Sequence, residues 1–355
     1  MSDEGPKVVA WETTRRCALR CRHCRGAARD TPYDGELTTA EGLRLIEALA
    51  RAGNPLLILT GGEPLSRPDI YDLVRHATDR GLRAVLAPCG PLLTPETVRR
   101  LIASGVRRIS VSLDGPDAET HDAFRGVPGA FEAALRGLRH AREAGLEFQI
   151  NTTVSRHNVN VLPALLDLAV GLGAAAFDAF FLVPTGRGAD LRELEISPSD
   201  YERTLRWLAG VAAAGPLPVK ATCAPHYARV AALAGGTPPP PFPGERTVRP
   251  ASAGCLAGRG FVFISHRGLL QPCGFLDVAC GDLRRSNFDF GALYAESPVF
   301  QALRDVDAYR GKCGVCEYLR SCGGCRARAF AASGDYLGEE PACDYAPRGS
   351  GGAAR

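Results

Sequence analysis

The chain has 355 residues, 45% of them hydrophobic and 23% charged, with a formal net charge of +3. Those proportions fit a globular α/β domain with room for a smaller second one. They give no reason to expect a nucleic-acid partner, and neither a membrane span nor an export signal is visible. A cytoplasmic location is therefore expected, where thiols stay reduced. The 13 cysteines then point to metal or cluster ligation rather than disulfides.

In chain order, strand-like runs fall near residues 8–13, 56–60, 84–87, 108–113, 148–154 and 179–182. Amphipathic stretches separate them, such as "TTAEGLRLIEALARAG" and "AFEAALRGLRHAREAG". Several begin at a Thr, Ser or Asp cap and end at glycine. Six β/α units in series predict parallel strands with crossover helices over residues 1–234. Periodicity leaves open whether they curl as a partial barrel or lie as a doubly wound sheet. Residues 235–254, "GGTPPPPFPGERTVRPASAG", form a proline-rich linker. Beyond it eight cysteines crowd a small domain over 255–347, and 348–355 is a frayed tail. Lysine occurs only at Lys7, Lys220 and Lys312, so arginine carries nearly all positive charge.

Cysteine chemistry starts at the end of the first strand, with Cys17, Cys21 and Cys24. Strand ends of parallel α/β folds carry active sites. A [4Fe–4S] cluster has four irons, and three thiolates leave one of them open. That iron can chelate the amino and carboxylate groups of S-adenosylmethionine. Gly61, Gly62, Glu63 and Pro64 end the second strand; paired glycines let backbone approach a ligand, and Glu63 suits an ammonium group. Ser112 and Asp114 end the fourth strand and suit ribose hydroxyls, with Asn151 on the fifth. The competing reading is a zinc knuckle with a chance Gly-Gly turn.

These motifs, with His23 as the aromatic residue before the third cysteine, resemble the radical SAM superfamily. The resemblance implies a partial (β/α)6 barrel and reductive cleavage of S-adenosylmethionine. Cys255, Gly268 and Cys273, followed by "CGVCEYLRSCGGC", resemble the SPASM extension, which carries one or two auxiliary [4Fe–4S] clusters. That resemblance suggests Cys313, Cys316, Cys322 and Cys343 for one cluster, and Cys255, Cys273, Cys325 with Cys280 for the other. The spacing departs from the SPASM pattern at Cys322 and Cys325, where two residues intervene instead of three. Cys89 and Cys223 are expected to be ordinary buried residues.

"FLVPTGRGA", "KATCAPHYARV" and their neighbours further resemble the heme synthase branch of the superfamily. This implies iron-coproporphyrin III as substrate, two propionates converted to vinyl groups, and a flavodoxin- or ferredoxin-type reductant. Arg187 and Arg125 then become candidates for binding propionates, and His226 and Tyr227 for meeting the porphyrin, His226 as an axial iron ligand. Arg125 also admits a structural or nucleotide-side role, and His226 a helix-capping one. Alternatives are a related enzyme acting on didecarboxysiroheme, a peptide maturase, and a non-catalytic electron-transfer protein.

Overall fold

A computed structural model of the protein describes residues 5–233 and 254–348. The expected linker, apart from Gly254, and the tail from residue 349 onward lie outside the described residues. A ten-stranded sheet organises the chain: β1 (Val8–Thr14), β2 (Leu56–Gly61), β3 (Ala84–Leu86), β4 (Arg108–Ser112), β5 (Glu147–Val154), β6 (Ala176–Phe181), β7 (Val219–Thr222), β8 (Phe261–Ile264), β9 (Leu269–Gln271) and β10 (Gly281–Asp282). Its order is β10-β9-β8-β1-β2-β3-β4-β5-β6-β7. Pairing is parallel from β8 through β1 to β7, and antiparallel for β8–β9 and β9–β10.

The strand order decides what periodicity left open. A doubly wound sheet reverses direction at a switch point. Here β1 to β7 follow one another without reversal, so right-handed crossovers put every helix on one face and the sheet curls. The fold is a partial (β/α)6-type barrel with an added strand at each end. One of these, β7, is four residues long and was not anticipated. The other, β8, pairs with β1 and carries the sheet past the linker.

The barrel helices are α1 (Thr39–Arg51), α2 (Ile70–Asp79), α3 (Pro95–Ala103), α4 (Ala118–Arg125), α5 (Ala130–Glu143), α6 (Leu162–Leu172), α7 (Pro198–Ala214) and α8 (His226–Leu233). Four shorter ones follow: α9 (Phe290–Glu296), α10 (Pro298–Arg304), α11 (Gly311–Gly314) and α12 (Arg326–Ser333). Thr38 and Glu41 form a reciprocal capping box before α1. Thr94 and Ser197 cap α3 and α7 ahead of Pro95 and Pro198.

Alternation along the strands divides the faces. Val111, Ile150, Phe177 and Val219 are register neighbours on β4 to β7 and join the main apolar core beneath the helices. Ser112, Asn151, Asp178 and Lys220 form the next row and face the barrel interior. A second apolar cluster around Leu276, Leu303, Tyr309, Ala327 and Leu337 supports the C-terminal segment and includes Val183 from the barrel. No helix among the described residues is long and apolar enough to cross a membrane.

Candidate active site

Beyond β1 the chain enters the loop bearing Cys17, Cys21 and Cys24. The end of β2 holds this loop in place: Gly62 donates its amide to Thr14 O at 2.8 Å and Glu63 to Arg16 O at 2.7 Å. A Cβ on Gly61 would lie 2.2 Å from Thr14 O, and one on Gly62 2.3 Å from Arg16 O. The paired glycines therefore serve contact between backbones. The buried Glu63 carboxylate accepts the amides of Leu65 at 2.9 Å and Cys89 at 2.7 Å. It ties strand ends together through one amide on each oxygen, and each oxygen keeps a further lone pair for the ammonium partner expected there. On the far side Arg20 and Arg22 donate their amides to Arg125 O and Phe124 O. His23 stacks on Phe124 at 4.3 Å, and Phe124 on His157 at 5.0 Å. Nδ1 of His23 is buried without a partner, and burial lowers the pKa of the ring to about 4.

The three thiols share one side-chain cluster with Cys89, whose Sγ is 3.8 Å from that of Cys17. Ala28 donates its amide to Cys24 Sγ at 3.3 Å, and Arg125 Nη1 lies 3.6 Å from Cys21 Sγ. Amide donors and a cation aimed at sulfur are what thiolate ligands of an iron–sulfur cluster require. The trio fits such a group.

Both arginines expected to hold propionates are committed to this loop instead. Arg125 is buried and pairs with Asp114 at 2.7 Å. Burial raises the pKa of Asp114, but Arg125 outweighs it and holds the carboxyl below its usual range. Arg187 donates from Nε to Cys21 O at 2.9 Å and from Nη2 to Ala28 O at 3.0 Å, while its amide bonds Cys24 O. Asp114 also accepts the Thr153 amide at 2.7 Å, so its carboxylate is engaged within the protein where ribose hydroxyls were expected.

The row facing the interior adds residues that sequence reading missed. Gln149 Nε2 donates to Asn151 Oδ1 at 2.7 Å and Lys220 Nζ to Gln149 Oε1 at 3.2 Å. Thr222 donates to Asp178 Oδ1 at 2.8 Å. Burial lowers the pKa of Lys220 against the pull of Asp178. The row thus runs from Ser112 to a partly buried cation. One signal for it was present in the sequence: Lys220 is among only three lysines of the chain.

The C-terminal thiols gather in two places. Cys313, Cys316, Cys322 and Cys343 line one cavity together with His226, Arg229 and Glu340. Tyr318 donates its amide to Cys316 Sγ at 3.4 Å and Glu340 to Cys313 Sγ at 3.4 Å. Cys273 and Cys325 pack in the second apolar cluster, with Cys255 in electrostatic reach of both. Cys280 is elsewhere: its Sγ meets Val278 O at 3.5 Å within the main core. Cys223, expected to be an ordinary buried thiol, packs with Cys273 against the second apolar cluster, which contains Cys325. His226 is 1% exposed, stands edge-on to Tyr201 at 4.9 Å, and has no partner on either ring nitrogen. It belongs to the wall of the first thiol cavity, which argues against its role as an axial ligand of a substrate iron. Tyr227 packs in the main core, which likewise removes it from a porphyrin-facing position.

Residues 11–169 match the family model of the radical SAM superfamily. The chain is 48% identical over 355 residues to an AdoMet-dependent heme synthase of Nitratidesulfovibrio vulgaris, covering 98% of this chain and 95% of that one. It is 31% identical to an Fe-coproporphyrin III synthase of Methanosarcina barkeri, covering 96% and 88%. The fold is similar to that of Streptococcus suis SuiB bound to S-adenosylmethionine, at TM-score 0.75 and 18% identity, covering 96% and 78%. The chain belongs to the radical SAM superfamily and is an enzyme whose cofactors are a [4Fe–4S] cluster and S-adenosylmethionine.

Proposed function

We propose that this enzyme oxidatively decarboxylates two propionate side chains of iron-coproporphyrin III to vinyl groups, yielding heme b. The near full-length 48% identity to an AdoMet-dependent heme synthase carries the reading. When bound, the cluster and S-adenosylmethionine supply a 5′-deoxyadenosyl radical able to take hydrogen from a propionate β-carbon. Cys17, Cys21 and Cys24 hold that cluster, and the buried, unpartnered Nδ1 of His23 is available to the nucleotide. Ser112 and Asn151 offer hydroxyl and amide groups to the ribose. Lys220, at the end of the same row, meets a propionate carboxylate in the place first given to Arg125 and Arg187. Phe180 stands on the same face two residues from Asp178 and gives the macrocycle an apolar wall.

Each propionate loses one hydrogen atom, CO2 and one electron as its vinyl group forms. That electron needs an acceptor, and the C-terminal thiols are the residues able to hold one as auxiliary [4Fe–4S] clusters. A flavodoxin- or ferredoxin-type protein is the outside reductant. The test is anaerobic incubation with iron-coproporphyrin III, S-adenosylmethionine and dithionite, followed by mass analysis. The expected product has lost CO2 and two hydrogens at each of two side chains. Release of 5′-deoxyadenosine with unaltered iron-coproporphyrin III, or turnover of didecarboxysiroheme in its place, overturns the substrate assignment.

A further inference from the structure

We propose that Cys223 is the fourth thiolate of an auxiliary cluster site whose other ligands are Cys255, Cys273 and Cys325. This rests on the thiol geometry and the superfamily's iron–sulfur chemistry, not on the porphyrin reading.

Cys223 directly follows β7. Its φ is +58°, a left-handed conformation that is uncommon for a residue with a side chain. Such strain persists only where the surroundings over-determine it, and it concentrates at functional positions. Here they do. The Cys223 carbonyl accepts the Tyr201 hydroxyl at 2.8 Å and Arg328 Nη1 at 3.2 Å. Arg328 is itself buried and locked to Glu340 at 3.1 Å, and Glu340 accepts the Cys325 amide at 2.8 Å. One buried ion pair therefore sets the backbone of both Cys223 and Cys325. Cys223 and Cys273 both pack against the apolar cluster that contains Cys325.

The remaining two ligands are brought in by separate contacts. Cys255 is held by its amide on Cys322 O at 3.0 Å, and Phe275 donates its amide to Cys273 Sγ at 3.4 Å. Gly274, beside Cys273, fits against Arg25, which follows Cys24: a Cβ there would lie 3.3 Å from Arg25 Cδ. The four-thiol site thus stands between the N-terminal cysteine loop and the other thiol cavity. Cys280, the alternative fourth ligand, faces the Val278 carbonyl at 3.5 Å in the main core. An iron–sulfur group on Cys223 would also cross-link the barrel to the C-terminal segment.

The experiment compares anaerobically reconstituted full-length wild type, Cys223→Ala and Cys280→Ala by iron and sulfide content and by EPR of the reduced proteins. Three clusters of four irons are expected in wild type, so Cys223→Ala loses about a third of the iron and one EPR component. Cys280→Ala keeps the full complement. Unchanged iron and EPR in Cys223→Ala, or loss of one cluster in Cys280→Ala, overturns the assignment. Should Cys223→Ala lose all iron, Cys223→Ser decides. A changed signal from one cluster, with the other two intact, supports ligation, and a wild-type spectrum overturns it. None of these readouts uses porphyrin, so failure of the substrate assignment leaves them unaffected.

Discussion

At the residue scale, charge placement separates binding from bracing. Arg125 and Arg187 were the natural partners for propionates, yet both donate inward to the cysteine loop. An arginine in a motif looks the same in sequence whether it meets a ligand or a carbonyl. Lys220 opens the stretch "KATCAPHYARV" without being singled out by it, and alternation on β7 puts it at the end of the interior row. A charge-assisted contact contributes about 1.5–3 kcal/mol, so Lys220→Met is expected to raise KM for iron-coproporphyrin III about tenfold or more while 5′-deoxyadenosine release without substrate is unchanged. Steady-state kinetics and uncoupled cleavage assays check both parts. His226→Ala should leave the Soret band of bound substrate unaltered; a shift in that band would restore the axial-ligand role.

His121 provides a pH-dependent test. Its Nδ1 accepts the Asp114 amide at 3.1 Å, which requires the unprotonated nitrogen, and burial lowers its pKa from 6.5 to about 4. A folded value below the unfolded one means the stabilisation is complete above pH 6.5 and fades as pH falls toward 4. His23 and His226 are shifted the same way. Urea midpoints should therefore drop between about pH 7 and about pH 5. The drop should be shallower in His121→Asn, which keeps an acceptor that does not titrate.

At the scale of elements, the glycine pair at the end of β2 is the tightest joint. Gly61→Ala would force a methyl to 2.2 Å from the Thr14 carbonyl, displacing the strand end that holds the cysteine loop. Reconstituted Gly61→Ala is expected to lose about four irons per chain while the C-terminal clusters remain; iron analysis with EPR reads this directly. Helix and strand positions were largely legible because caps, glycine stops and apolar periodicity are local properties. Strands β7 and β8 were not. β7 has only four residues, and β8 becomes a strand by pairing with β1 across more than 240 positions of sequence, which no local pattern encodes.

For the whole molecule, the question is how the C-terminal segment is joined to the barrel. Arg284 pairs with Glu41 on α1 at 2.6 Å and also reaches the carbonyls of Gly35 and Glu36. That pair is partly exposed, where ion pairs contribute little. The stronger joint is buried: Arg328 on α12 reaches Leu182 O at 3.0 Å and Cys223 O, with Glu340 as its counter-charge. Removing one member of a buried pair costs about 3–5 kcal/mol because the other charge is left uncompensated. Glu340→Gln is therefore expected to lower the global denaturation midpoint and loosen the C-terminal iron–sulfur content, with the N-terminal cluster retained. A midpoint equal to wild type would contradict the joint.

The sequence by itself determined the superfamily, the spacing of the N-terminal cysteine trio, the β/α repeat and the existence of a thiol-rich C-terminal segment. Each of these depends on spacing along the chain, and spacing survives in one dimension. The tertiary structure alone decided which thiols meet, which arginines brace the cysteine loop, and where the sheet ends. Cys223 and Cys325 are about a hundred residues apart and become neighbours only because β7 and α12 converge on one buried ion pair. Cys280 is close to Cys273 in sequence, yet it belongs to a different core.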